Sequence, residues 1–236
     1  MELNTDQAIQ QRTALITGAS RGLGLALARQ LAQLHWHLLI DARGEEALEA
    51  ARVELSQWTT VTALAGDVSE EAHRQALATL VRAHGRLDAL INNASFLGVS
   101  PLPILYEYPL SVLEQVYRTN VLAPLGLIQV VRPYLVSGSC IINVTSDAGV
   151  EGYPSWGGYG SSKAALEQLS HILSVEDEAT RIYWVDPGDM RTEMHQDAFP
   201  GENIDDRPLP EESVPGFLKL LTGNYISGRY SARTLS

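Results

Sequence analysis

The sequence predicts a doubly wound parallel α/β sheet with helices on both faces, three layers deep and about seven strands wide. Three observations predict it. Short apolar runs of the buried-strand type alternate along the chain with segments of helical length. Helices placed between strands imply parallel pairing through right-handed crossovers, which covers the sheet on both faces. With 236 residues, 45% hydrophobic and 19% charged, the chain has the length and composition for one large core. No repeat, low-complexity block or linker divides residues 1–236, so a single domain is expected.

The first strand is Thr13–Thr17, and Leu23, Leu27, Leu31 and Leu34 then recur at helical spacing to give one apolar face. His37–Asp41 reads as the second strand, followed by a helix from about Glu45 to Ser56. Val61–Leu64, Leu87–Ile91, Ile141–Thr145 and Ile182–Val185 continue the series, and Tyr225–Ser227 is a short last strand. An insertion is expected at about 192–214. Within it Asp205–Glu212, rich in proline and acid, reads either as a solvated loop or as a lid over a substrate. In such sheets ligands sit beyond the carboxyl ends of the strands, near the point where strand order reverses.

A formal net charge of −11 would repel a phosphate backbone, which argues against a nucleic-acid partner. Cys140 is the only cysteine, so the chain can form neither an intrachain disulfide nor a cysteine-based metal site, as suits a reducing compartment. Met1–Gln11 is polar, with Glu2 and Asp6, and lacks the pattern of a secretory signal. The most apolar stretch, Val121–Val131, is interrupted by Pro124 and Gln129 and falls short of a ~20-residue span. A cytoplasmic protein that does not enter the membrane is expected. The six histidines are scattered, and His35 with His37 lacks acid or cysteine partners, so no metal site is expected.

Directly after the first strand, Thr17-Gly18-Ala19-Ser20-Arg21-Gly22-Leu23-Gly24 opens the first helix. Glycines permit the tight turn and the approach of backbone to a pyrophosphate, which the helix N-terminus attracts. The Gly-x-x-x-Gly-x-Gly spacing resembles that of the short-chain dehydrogenase/reductase family, which implies a Rossmann-like fold. Five further motifs in order extend the resemblance over about Thr13 to Gly228. They are Asp67-Val68 after the third strand, Asn92-Asn93-Ala94 after the fourth with Ser95 in place of the family's glycine, Asn120, Ser146 with Tyr159-x-x-x-Lys163, and Asp186-Pro187-Gly188-Asp189-Met190-Arg191-Thr192.

The resemblance implies a nicotinamide cofactor held by Gly18, Ser20, Gly22, Leu23 and Gly24 at the phosphates. Asp67, Val68, Asn93 and Ala94 would lie along the adenine side, with Pro187, Gly188, Met190 and Thr192 at the nicotinamide. The family's NAD-selecting acid would fall at Ala42, so that acid is missing. Arg43 follows it and Arg21 lies within the turn, positions where NADP-preferring members carry basic residues; NADP(H) is expected over NAD(H). Asp41 would count against this if the register were off by one.

Tyr159 and Lys163, four residues apart, share one helix face, and a nearby ammonium stabilises a phenolate and brings its pKa towards the working range. Ser146, thirteen residues before Tyr159, matches the family's catalytic serine, and Asn120 the asparagine that holds a water linking to the lysine. The implied reaction is transfer of hydride from the nicotinamide to a carbonyl carbon while Tyr159 protonates the oxygen, or the reverse on a secondary alcohol. Ser146 would orient the oxygen, and Lys163 would also bind the nicotinamide ribose. Extended relatives that epimerise or dehydrate nucleotide sugars carry a longer C-terminal substrate domain, which is not expected here with about eight residues after Gly228. The alternative reading is a non-catalytic NADP(H)-sensing regulator on the same fold. Candidate substrate-wall residues are Phe96, Leu97, Glu151 and Tyr153, together with Trp156, Met194, His195 and Phe199. The Arg43 and Thr-Gly-Ala-Ser-Arg-Gly pattern is also similar to that of sepiapterin reductase, which adds pteridine or diketone reduction as one specific candidate while the substrate stays open. Family members pair through the long helices flanking the site, so a homodimer or homotetramer is expected.

Overall fold

The computed structural model describes residues 11–235; the start of the chain, including Glu2 and Asp6, and residue 236 lie outside the described residues. Seven strands form one sheet: β1 (Thr13–Ile16), β2 (His37–Ala42), β3 (Val61–Ala65), β4 (Leu87–Asn92), β5 (Leu135–Val144), β6 (Arg181–Asp186) and β7 (Gly228–Ser231). They run in the order β3-β2-β1-β4-β5-β6-β7 with every neighbour parallel. Strand order reverses between β1 and β4, so the carboxyl ends of these two strands mark the ligand crevice.

The helices are α1 (Gly22–Gln33), α2 (Glu45–Leu55), α3 (Glu71–His84), α4 (Leu110–Tyr117), α5 (Ala123–Val131), α6 (Gly157–Glu176), α7 (Glu193–Ala198), α8 (Val214–Thr222) and α9 (Ala232–Leu235). Alternation along the strands sends side chains to two apolar layers. Ala14, Ile16, Leu38, Ile40, Ile91 and Ile142 pack with α1, α2 and α8. Leu15, Leu39, Leu90, Ile141 and Ile182 pack with α3 and α5, where Leu173 of α6 joins them. Both faces of the sheet are thus covered, which is why its strands read as continuous apolar runs.

Two strand boundaries differ from the sequence reading. β5 starts at Leu135 rather than Ile141, because Leu135 pairs with Leu87 across a register shift before the regular ladder begins at Cys140. Ser137 and Gly138, exposed in that stretch, break the apolar pattern that a reader would follow. The last strand is Gly228–Ser231, not Tyr225–Ser227, since the ladder to β6 begins with Tyr183 opposite Gly228. Residues 225–227 form no ladder with β6; they bond to it singly, Tyr183 Oη to Tyr225 O at 2.9 Å and Ile182 N to Ser227 Oγ at 3.0 Å.

The 192–214 insertion is partly ordered into α7 and a 3-10 turn at Pro210–Glu212. No described helix is long and apolar enough to cross a membrane. A line of buried amides fixes α6 on the sheet. Asn92 Nδ2 donates to Asn143 Oδ1 at 2.8 Å, and Asn143 Nδ2 donates to Ser170 Oγ at 2.8 Å. Each link is satisfied, so the line confers a unique helix position without an orphaned polar group.

Candidate active site

The phosphate turn is built by contact between β1 and β4. Gly18 has φ +65°, in the left-handed region, and a Cβ there would lie 3.0 Å from Ala94 Cα. Gly24 is tighter still, since its Cβ would stand 2.2 Å from Gly18 O and 2.5 Å from Asn93 Nδ2. Asn93 clamps the turn by donating from Nδ2 to Thr17 O at 2.9 Å and to Gly18 O at 3.1 Å. The backbone N–H groups of Asn93 and Ala94 both donate to Thr17 Oγ1, each at 3.0 Å. The side chain of Asn93 therefore braces the turn that a ligand would contact.

Beyond the strand ends lies one cavity of about 630 Å³, running from Arg43 and Ala47 past the glycine turn to Tyr159, Lys163 and Met194. Every residue expected to touch a nucleotide lines it except Gly24 and Gly188. Gly24 stands behind the turn. Gly188, at φ +73°, makes its own turn with its N–H donating to Asp186 Oδ1 at 2.8 Å. The two arginines diverge. Arg21 is paired with Glu193, whereas Arg43 has no ion-pair partner among the described residues. Asp41 is buried within β2, its carboxylate taken by Gly18 N at 3.1 Å and His73 Nε2 at 2.8 Å, and burial raises its pKa. The register is therefore as read, and Ala42 ends the strand. Thr192 caps α7, its Oγ1 accepting from His195 N at 3.2 Å, while its Cγ2 stands across from Gly22.

Tyr159 and Lys163 lie together on the first turns of α6 and are 8% and 2% exposed. Lys163 Nζ donates to Val144 O at 2.8 Å and sits 5.4 Å from the centre of the Tyr159 ring. Burial pulls Lys163 down to about 8. Burial also holds Tyr159 well above the ordinary phenol value, offset in part by a hydrogen bond with Ser95, while Asp186 and Asp147 push it further up. Ser95 thus joins Lys163 beside the phenol, while the ammonium makes its own hydrogen bond to a strand carbonyl.

Asn120 occupies a π-helical turn, Arg118–Leu122, between α4 and α5. Its Oδ1 accepts from Ser95 Oγ at 3.1 Å and Phe96 N at 2.8 Å; its Nδ2 donates to Phe96 O and to Ser162 Oγ, each at 3.0 Å. All four hydrogen-bonding positions of the amide are filled, so the side chain braces the end of β4 against α6. Ser146 caps a 3-10 turn after β5, its hydroxyl donating to Asp147 Oδ1 at 2.9 Å and accepting from Ala148 N at 3.2 Å. Neither Asn120 nor Ser146 lines the cavity.

Four of the expected wall residues, Leu97, Trp156, Met194 and Phe199, form one apolar cluster around Tyr159. The Trp156 ring meets Tyr159 edge-on at 5.8 Å and Phe199 at 5.9 Å, and the His195 ring lies 4.9 Å from Phe199. Phe96 is held by its backbone on Asn120, and Glu151 is exposed. The segment 205–212 is largely solvated, with Asp205, Asp206, Leu209, Glu211 and Glu212 exposed, and it is tied down at Pro208. Arg191 N donates to Pro208 O at 2.8 Å, Leu209 to Glu211 line the cavity, and Glu211 lies 3.6 Å from Arg29 of α1. It borders the nucleotide end, and α7 covers Tyr159 instead.

Sequence reading missed Ser95, Asp147, Asn143, Ser162 and Ser170. Ser95 carried a signal, being the one departure within its motif; the others become visible only when β4, β5 and α6 are side by side.

A family model described as short chain dehydrogenase matches residues 12–203. The rhamnolipid-biosynthesis 3-oxoacyl-acyl-carrier-protein reductase of Pseudomonas aeruginosa is 37% identical over 173 residues, 70% of this chain and 66% of that protein. A structure described as a short chain dehydrogenase from Pseudomonas syringae is similar with a TM-score of 0.88 and 31% identity, covering 94% of both chains. One from Escherichia coli CFT073, complexed with NADPH, gives 0.83 and 28%, covering 94% of this chain and 96% of that one.

Proposed function

Because the chain belongs to the short chain dehydrogenase family, we propose that it is an NADP(H)-dependent oxidoreductase that moves hydride between the nicotinamide and a carbonyl or secondary alcohol of a small molecule. One observation carries the proposal: a single cavity joins the unpaired Arg43, the glycine turn and the buried Tyr159–Lys163 pair. The residues fit such a cofactor. At Gly18 and Gly24 a side chain would fill the cradle, the cavity lies at the N-terminus of α1, and no acid follows Asp41 at the end of β2. The neighbour complexed with NADPH supports the choice of phosphorylated cofactor.

When bound, the cofactor supplies the hydride. Arg43 would hold the 2′-phosphate, since Arg21 is engaged by Glu193. Lys163 uses one of its three N–H donors on Val144 O and offers the others to the nicotinamide ribose. Tyr159 gives its proton to the carbonyl oxygen in reduction and recovers it in oxidation. Burial keeps the phenol protonated at neutral pH, the state that reduction requires. Ser146 orients the same oxygen by donating its hydroxyl hydrogen.

The proposal extends to a cytoplasmic homodimer or homotetramer, supported by exposed Leu110 and Leu122 on one flanking helical segment and Ile172 and Val175 on α6. A second reading, a non-catalytic NADP(H)-sensing regulator, draws on the Ser146 and Lys163 polar atoms, which are bonded to Asp147 and Val144 O. Binding titrations with NADPH and NADH, followed by NADPH consumption over aldehydes, diketones, quinones, ketoacyl thioesters and pterins, decide between them. Turnover establishes the oxidoreductase; tight NADPH binding with no turnover across the panel favours the regulator.

A further inference from the structure

We infer that Asp147 determines substrate choice, so that the favoured carbonyl compound carries an ammonium group beside the reacting carbon. This rests on the oxidoreductase reading above. Asp147 begins the 3-10 turn after β5, which sets its carboxylate next to the serine assigned to the carbonyl oxygen. Although exposed, the carboxylate is held in place. Oδ1 accepts from Ser146 Oγ at 2.9 Å and Ala148 N at 2.8 Å, and Oδ2 accepts from Tyr153 Oη at 3.0 Å.

Charge balance singles it out. Asp186 is paired with Arg229, Asp189 with Arg207 and His195, and Glu193 with Arg21. Asp147 has no cationic partner among the described residues. Tyr153, whose phenol Asp147 raises most, is raised also by Glu151, so the rim carries a second acid near the same point. A substrate that closes over this rim removes water from an uncompensated carboxylate, which is costly unless the substrate supplies a cation. The aromatic faces of Tyr153, Trp156 and Phe199 add attraction of the same sign.

The hydrogen bond to Ser146 links selection to chemistry. A serine hydroxyl has one hydrogen, and here it points to Asp147. For Ser146 to donate to a carbonyl oxygen, that hydrogen must turn away and leave Oδ1 short of a donor. An ammonium one carbon from the carbonyl fills the gap, so the substrate that satisfies Asp147 also releases Ser146. A neutral carbonyl leaves the exchange uncompensated, and a carboxylate or phosphate in that place is repelled.

The test compares 2-amino-1-phenylethanone with propiophenone, which replaces its ammonium by a methyl group, and with benzoylformate, in NADPH consumption at pH 6.5. Wild type, Asp147→Asn and Asp147→Glu are used as full-length proteins, with NADPH affinity as a check on folding. The ratio of kcat/KM for the aminoketone to that for propiophenone should fall about tenfold to a hundredfold in Asp147→Asn, mainly through KM, and recover in Asp147→Glu. Benzoylformate should gain in Asp147→Asn. An unchanged ratio with turnover intact, or an equal loss of kcat on both ketones, overturns the role in selection and leaves the oxidoreductase reading standing. No turnover of any carbonyl by wild type that binds NADPH overturns both.

Discussion

The Ser95 hydroxyl donates to Oδ1 of Asn120 at 3.1 Å, tying the end of β4 to the π-helical turn behind the active site. The same hydroxyl is within hydrogen-bonding reach of Tyr159, and when its one hydrogen turns from Asn120 to the phenol oxygen it opposes the rise in pKa that burial causes. Ser95→Ala should therefore move the Tyr159 pKa further up. Alcohol oxidation, which needs the phenolate, should shift its pH dependence to higher pH, while carbonyl reduction at neutral pH, which needs the phenol, changes little. A pH profile of kcat in both directions checks this, and an unmoved oxidation limb would count against the contact.

Tyr159→Phe removes the proton donor and leaves the ring in its contact with Trp156. Carbonyl reduction should fall by about 10²- to 10⁴-fold while NADPH affinity stays nearly unchanged. Stopped-flow turnover and fluorescence titration on the same preparation separate the two. Retained turnover removes Tyr159 from the chemistry.

Arg43→Ala tests cofactor choice. Losing a charge-assisted bond to a phosphate should weaken NADPH by about 1.5–3 kcal/mol and leave NADH nearly untouched. Isothermal titration with each cofactor gives the answer. An equal loss for both means that Arg43 does not read the 2′-phosphate.

Lys163 links the site to stability. Folding lowers its pKa from the ordinary 10.5 to about 8. Between those values the unfolded chain keeps a proton that the native state has lost, so this group makes stability rise with pH across about 8 to 10.5. Below pH 8 the buried ammonium costs up to about 3 kcal/mol. Lys163→Met should raise the urea midpoint at pH 7 and lose that advantage as pH approaches 10.5, while abolishing activity. A difference between variant and wild type that is flat with pH would refute the account.

Gly24→Ala would press a methyl group on Gly18 O and Asn93 Nδ2. The expected result is a loss of about 1–3 kcal/mol in stability together with weaker NADPH binding. Denaturant unfolding and a binding titration on one sample check both. A variant with wild-type stability and affinity would mean that the turn yields at no cost.

The strands were legible because a sheet covered on both faces writes itself as apolar runs, and the glycine turn because backbone approach admits so few residue types. Where the signal was mixed, the reading slipped. Ser137 and Gly138 hid the start of β5, and Tyr225 and Ile226 imitated a strand that the ladder begins only at Gly228. At the site, residue types pointed to Tyr159, Lys163, Ser146 and Asn120, yet the bonds each one makes were not legible. That the Asn120 amide meets Ser162, and that Lys163 bonds to Val144 O, depends on which strands and helices lie adjacent. Ser95 was seen as a departure from a motif; its meaning needed the position of Asn120.

The line from Asn92 through Asn143 to Ser170 divides the molecule like a vice with one fixed and one adjustable jaw. The fixed jaw is α6, which cannot slide on the sheet without breaking amide bonds in the core, so Tyr159 and Lys163 keep their place whatever is bound. The adjustable jaw is the run from Met194 to Phe199, which joins no strand and meets Tyr159 through the side chains of Met194, Ala198 and Phe199, from a helix capped at Thr192. Substrate preference can therefore be retuned in that short run as well as at Asp147, and a designer can exchange side chains there without rebuilding the backbone that carries the proton donor.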